Sequence, residues 1–124
     1  MARMLKGVDA RGAAKLMKDG ALMVDVREPG EYARGHIPGS QNVALSRFNL
    51  AQLPLGEGQA VVFFCASGNR TTVNAARLAA KAGSADSYVL QGGISAWGRE
   101  GLPVESGSQG EGGKQRGFFA RMFG

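Results

Sequence analysis

Few residues in this chain can start chemistry. In 124 residues there is one cysteine, Cys65, and one histidine, His36. A lone cysteine makes no internal disulfide, and a lone histidine leaves no cluster of ligands at zinc-site spacing, so neither a metal nor a cofactor is called for. Cys65 is then either a small packing residue or a nucleophile. The residues on its C-terminal side favour the nucleophile. Cys65 ends the apolar run AVVFF (60–64) and opens the segment Cys65-Ala66-Ser67-Gly68-Asn69-Arg70, which is small, polar and turn-prone and gives way at Thr71 to a helical pattern. A strand, a tight loop and a helix in that order can turn successive backbone N–H groups inward, forming a nest that holds an anion. A thiolate is such an anion. Helix N-termini and nearby cations bring thiols from about 8.5 down to between roughly 3.5 and 7.5. Arg70 has two candidate roles: guiding an anionic donor, which is the expected one, or tying the loop down through a carboxylate.

Several elements must position this segment. Residues 21–26 (ALMVDV) and 60–64 are near-continuous apolar runs, with SYVL at 87–90 a shorter third, and such runs suit strands covered on both faces. Asp9 can cap a helix running to about Lys18, with Ala10, Ala13, Ala14, Leu16 and Met17 on its apolar side. Thr71 or Thr72 opens a second helix closed by Gly83, and Gly92-Gly93 precede a third over 94–100. Strands alternating with helices imply parallel crossover units. The expected fold is therefore α/β, an open and mainly parallel sheet with helices on both faces, in three layers. Sheets of this kind carry their chemistry at the carboxyl ends of the strands, which is where Cys65 falls.

Hydrophobic residues make up 44% of the chain and charged residues 20%, which is ordinary for one globular domain of this length. The start of the chain has no apolar stretch of signal-peptide length and no run long enough to span a membrane, so a cytoplasmic address is expected. Of the net charge of +5, residues 107–124 supply +2, through Lys114, Arg116 and Arg121 against Glu111, and the remaining +3 is scattered among acids. Nucleic-acid binding is not expected, because basic and aromatic residues do not interleave along one face. A mildly positive body does suit small anionic substrates. From Gly107 the composition turns to GSQGEGGKQRG, so the domain is expected to cover 1–106, with 107–124 a flexible glycine-rich tail ending in FFARMFG. A monomer is expected.

The motifs D-V-R-E-P-G-E-Y from Asp25, G-H-I-P-G-S from Gly35, the Cys65 to Arg70 loop, L-Q-G-G-I from Leu90 with Trp97, and G-L-P-V from Gly101 resemble the rhodanese family in order and spacing, over about residues 4–105. The resemblance implies a single-domain sulfurtransferase in which Cys65 takes a sulfane sulfur from a donor such as thiosulfate and yields it to cyanide or a thiol. It makes the backbone of Ala66, Ser67, Gly68, Asn69, Arg70 and Thr71 the cradle of the persulfide or the bound anion. Asp25 and Arg27 are expected to support the site through an internal ion pair, with Glu28 or Glu31 as candidate partners. GHIPGS reads as a turn, so His36 is not expected to act as a base, and Trp97 and Tyr88 read as core anchors. Three other readings stand beside this one: a persulfide relay to a protein acceptor, a non-enzymatic interaction module, and a cysteine-dependent phosphatase. Phosphatases of related fold place one more residue between cysteine and arginine than the Ala66 to Asn69 stretch here, making a cradle wide enough for phosphate.

Overall fold

The computed structural model describes residues 4–107. Five strands, β1 (Lys6–Val8), β2 (Leu22–Asp25), β3 (Gln41–Asn42), β4 (Val61–Phe64) and β5 (Ser87–Leu90), form one sheet in the order β1-β5-β4-β2-β3. All neighbouring pairs are parallel, with Asp25 beside Phe64 and Phe63 beside Val89. The helices are α1 (Ala10–Lys18), α2 (Pro29–Arg34), α3 (Asn69–Val73), α4 (Ala75–Ala82) and α5 (Gly93–Arg99), with a 3-10 segment at Leu45–Leu50. No described helix is long and apolar enough to cross a membrane.

β4 lies at the centre and all four of its side chains are fully buried, which is why it reads as an unbroken apolar run. Alternation along the strand then sorts the two faces. Val62 and Phe64 pack with Met23, Leu90, Ala10, Ala13 and Trp97 under α1 and α5. Val61, Phe63 and Cys65 pack with Val24, Phe48, Leu78 and Ala82 under α4 and the 3-10 segment. Cys65 is therefore one step beyond the strand on the α3–α4 side. Trp97 is buried with its indole N–H donated to the Pro103 carbonyl at 2.7 Å, whereas Tyr88 is only half-buried, with Lys6 over its ring at 5.5 Å.

The first helix starts as its cap predicts, the Asp9 carboxylate accepting the Gly12 N–H at 2.8 Å. The second does not. A single helix from Thr71 or Thr72 to Gly83 is replaced by α3 and α4, which meet at Asn74 (φ −105°, ψ 17°). The Asn74 side chain donates to the Arg70 carbonyl at 2.8 Å, where the backbone N–H of Asn74 also donates at 3.1 Å, and this local bond ends α3. α3 also begins earlier than expected, at Asn69, because Gly68 supplies a left-handed turn (φ 99°) just before it. The tail expected from Gly107 lies outside the described residues except for Gly107 itself, whose N–H is still bonded to the Ala33 carbonyl at 2.7 Å.

Candidate active site

Cys65 is 1% exposed, and its sulfur accepts the Gly68 N–H at 3.1 Å, with the Thr71 hydroxyl at 3.7 Å. Burial pushes the thiol up, but the N–H groups of Thr71, Gly68 and Arg70 together with the Thr71 hydroxyl outweigh it, and the thiol sits below its ordinary range. Individual amides of a one-turn helix supply this field. Thr71, itself fully buried, has one hydroxyl proton and two claims on it: it donates to the Gly68 carbonyl at 3.0 Å and faces the sulfur. While Cys65 is a thiol, its S–H can point at the Thr71 oxygen. Once the sulfur is ionised, the hydroxyl proton can turn to it. That turn leaves no orphaned acceptor, since the Gly68 carbonyl keeps the Thr72 N–H at 3.1 Å and the Thr72 hydroxyl at 2.8 Å.

A second loop holds the first in shape. The Ile94 N–H donates to the Cys65 carbonyl at 2.9 Å and the Ser95 N–H to the Ala66 carbonyl at 3.0 Å, so first-turn amides of α5 are used on the Cys65 loop. The approach is close enough to require glycine. Gly93 has φ +59°, and a Cβ there would collide with the Cys65 carbonyl and lie 2.6 Å from the Ala66 carbonyl oxygen. The Ser67 and Asn69 side chains are exposed at the loop surface.

Arg70 turns to a carboxylate in this structure. Its two terminal nitrogens donate to both oxygens of Glu31, at 2.7 and 2.9 Å. Glu31 is itself fixed at the start of α2, where its carboxylate accepts the Glu28 N–H at 3.1 Å. The Arg70 hydrogen bonds, working against partial burial and helped by the Glu28 amide, hold the Glu31 carboxyl down at about 2. Asp25 and Arg27 pair with each other, at 2.7 Å, rather than with Glu28 or Glu31. Arg27 spends a further donor on the Gly35 carbonyl at 2.6 Å, and Glu28 takes the Ser46 hydroxyl at 2.6 Å. His36 is held by others: its ring stacks on Tyr32 at 3.9 Å, Nδ1 lies 2.8 Å from the Tyr32 carbonyl, and Nε2 lies 3.3 Å from Glu105. Those two contacts occupy both ring nitrogens. The sequence reading missed Glu31 as the partner of Arg70, and the amides of Ile94 and Ser95 as the support of the loop. The E-P-G-E pattern at 28–31, a proline-started helix with an acid at its third position, was the available signal for the first.

With this geometry in place, the comparisons with known proteins agree among themselves. The family model of the rhodanese-like domain matches residues 9–100, and the chain belongs to that family. An uncharacterized protein of Synechocystis is 42% identical over 70% of this chain, which spans about half (48%) of that protein's length. A sulfurtransferase of Allochromatium vinosum is 31% identical over 82% of this chain and 95% of its own. Among solved structures, a rhodanese-related protein from Thermoplasma volcanium superposes with a TM-score of 0.68 at 29% identity, covering 80% of this chain and 96% of the other.

Proposed function

We propose that this chain is a sulfurtransferase that carries sulfane sulfur as a persulfide on Cys65. The observation that supports the reading best is a buried sulfur receiving the Gly68 N–H at 3.1 Å from its own loop, with its thiol lowered despite burial. The thiolate attacks the outer sulfur of the donor. A new S–S bond forms at Cys65, the donor's S–S bond breaks, and its electron pair leaves on sulfite when the donor is thiosulfate, or on a thiolate when it is an organic persulfide. The extra sulfur lies about 2 Å beyond the cysteine sulfur, which brings the transferable atom toward the loop mouth while its charge rests on the amides of Ala66 to Thr71. An acceptor thiol or cyanide then takes that atom and regenerates Cys65. Arg70 orders the loop through Glu31, and Asp25 with Arg27 braces the end of β2. No second cysteine stands in the chain to resolve the persulfide, so the loaded form persists until an acceptor, small or borne by a partner protein, arrives. A reducing compartment such as the cytosol suits a thiol that must stay unoxidised between turnovers.

The test is whole-protein mass after incubation with thiosulfate and, separately, with an organic persulfide. The mass should rise by one sulfur atom, return on addition of cyanide, and not rise after Cys65→Ser or prior alkylation. A thiol that alkylates normally but gains no sulfur from any sulfane donor would leave the interaction-module reading in its place.

A further inference from the structure

Given a Cys65 persulfide as the carrier, we propose that Glu31 sets the donor preference of the site, disfavouring dianionic thiosulfate and favouring organic persulfides. Thiosulfate brings two negative charges to a sulfur that must itself be ionised to react, so its approach depends on a cation near the loop. Arg70 is the cation the loop supplies. It stands five residues after Cys65, at the second position of α3, the helix that opens directly behind the sulfur loop. Yet its fork is closed on Glu31 through both carboxylate oxygens. Arg27, the next cation, is closed in the same way on Asp25 and on the Gly35 carbonyl. The two pairs cancel, and the thiolate leaves the site with net negative charge. The exposed Arg34 lines the same cleft as Glu31 and Arg27, but a solvated surface cation offsets little of this. A donor of the form R–S–S–H carries no such pair of charges. The thiolate attacks its outer sulfur, the proton stays on the transferred atom, and R–S⁻ leaves.

Glu31 is thus a positioning residue that acts through Arg70, and a donor ratio reads its role. The experiment compares kcat/KM for thiosulfate and for the persulfide of 2-mercaptoethanol, with cyanide as common acceptor, in the full chain and its variants. Glu31→Gln should release Arg70 and raise kcat/KM for thiosulfate relative to that for the persulfide on the order of tenfold, any loss from a looser loop being common to both donors. Removing both charges, in Glu31→Gln with Arg70→Ala, should restore the balance and bring the thiosulfate-to-persulfide ratio back to within about threefold of the parent ratio, whatever the loosened loop costs both donors. Arg70→Lys keeps the charge but breaks the fork, and should move the donor ratio in the same direction as Glu31→Gln. The proposal is overturned if a folded Glu31→Gln leaves the donor ratio unchanged or moves it toward the persulfide. Should Glu31→Gln not fold, an unmoved ratio in Arg70→Lys overturns it as well. A parent protein that loads sulfur from neither donor would instead remove the sulfurtransferase reading itself.

Discussion

Thr71→Val isolates the part of thiolate stabilisation that comes from one hydroxyl. Valine fills nearly the same volume in a position that is fully buried but removes the hydroxyl, and since the Gly68 carbonyl keeps two other donors from Thr72 the fold should lose about 1 kcal/mol. The thiolate loses more. A hydrogen bond to an ionised group contributes about 1.5 to 3 kcal/mol at good distance, and the 3.7 Å separation puts this one at or below the lower end. About 1.4 kcal/mol corresponds to one pH unit in the titration midpoint. The amide of Gly68 at 3.1 Å is untouched, so the midpoint should rise by about one pH unit and not return to that of a free thiol. The assay is the rate of iodoacetamide alkylation of Cys65 against pH, with melting temperature measured in parallel. Sulfur loading near neutrality should fall by up to about tenfold and recover at alkaline pH. An alkylation profile that superposes on the parent's would show that the hydroxyl serves only the Gly68 carbonyl, and the relay between the two roles would be wrong.

Gly93→Ala should be far more damaging to the fold. It places a side chain in a left-handed backbone position and pushes α5 off two carbonyls, costing about 3 kcal/mol, or a melting temperature lower by on the order of 10 °C, and a drop below about 3 °C by circular dichroism would contradict the close approach. The Glu31 carboxyl titrates at about 2 in the folded protein against 4.5 as its ordinary value, so its pairing contributes stability that is complete above the ordinary value and lost as pH falls toward about 2. Urea unfolding from pH 5 to pH 2 should accordingly fall more steeply for the parent than for Glu31→Gln, and parallel curves would mean the ion pair adds nothing to folding.

How far the sequence discloses each element depends on what its residues have to do. β2, β4 and β5 were legible because strands covered on both faces draw mostly on apolar residues, and β4 has four such residues in a row. β1 and β3 were not, since three and two residues at the sheet edges (KGV and QN) need no apolar run to pair. α2 was hidden by its brevity and by having Tyr32 as its one buried residue. The strand, loop and helix around Cys65 were legible because strand, small polar turn and helix are local properties of 60–71. The Arg70–Glu31 fork joins residues 39 apart in sequence and exists only because β2 and β4 run parallel side by side, which puts the segments leaving both strands at one edge. A chain read in one dimension offers several acids for one arginine, and only the register of the sheet selects between them.

The amides of Ile94 and Ser95 on the carbonyls of Cys65 and Ala66 bear on how portable this chemistry is. Here the Cys65 and Ala66 carbonyls are received by a helix that starts nearly thirty residues later, which fixes the start of the loop that brings the Gly68 N–H to the sulfur. Grafting Cys65 to Arg70 alone onto another strand-loop-helix would leave those carbonyls free to rotate toward water or toward the sulfur, and a carbonyl oxygen beside a thiolate raises its energy. The transferable unit is the loop together with the Gly92 to Ser95 turn and the two adjacent parallel strands that keep them in register. A designer who moved only the six residues that look catalytic would expect an unactivated cysteine.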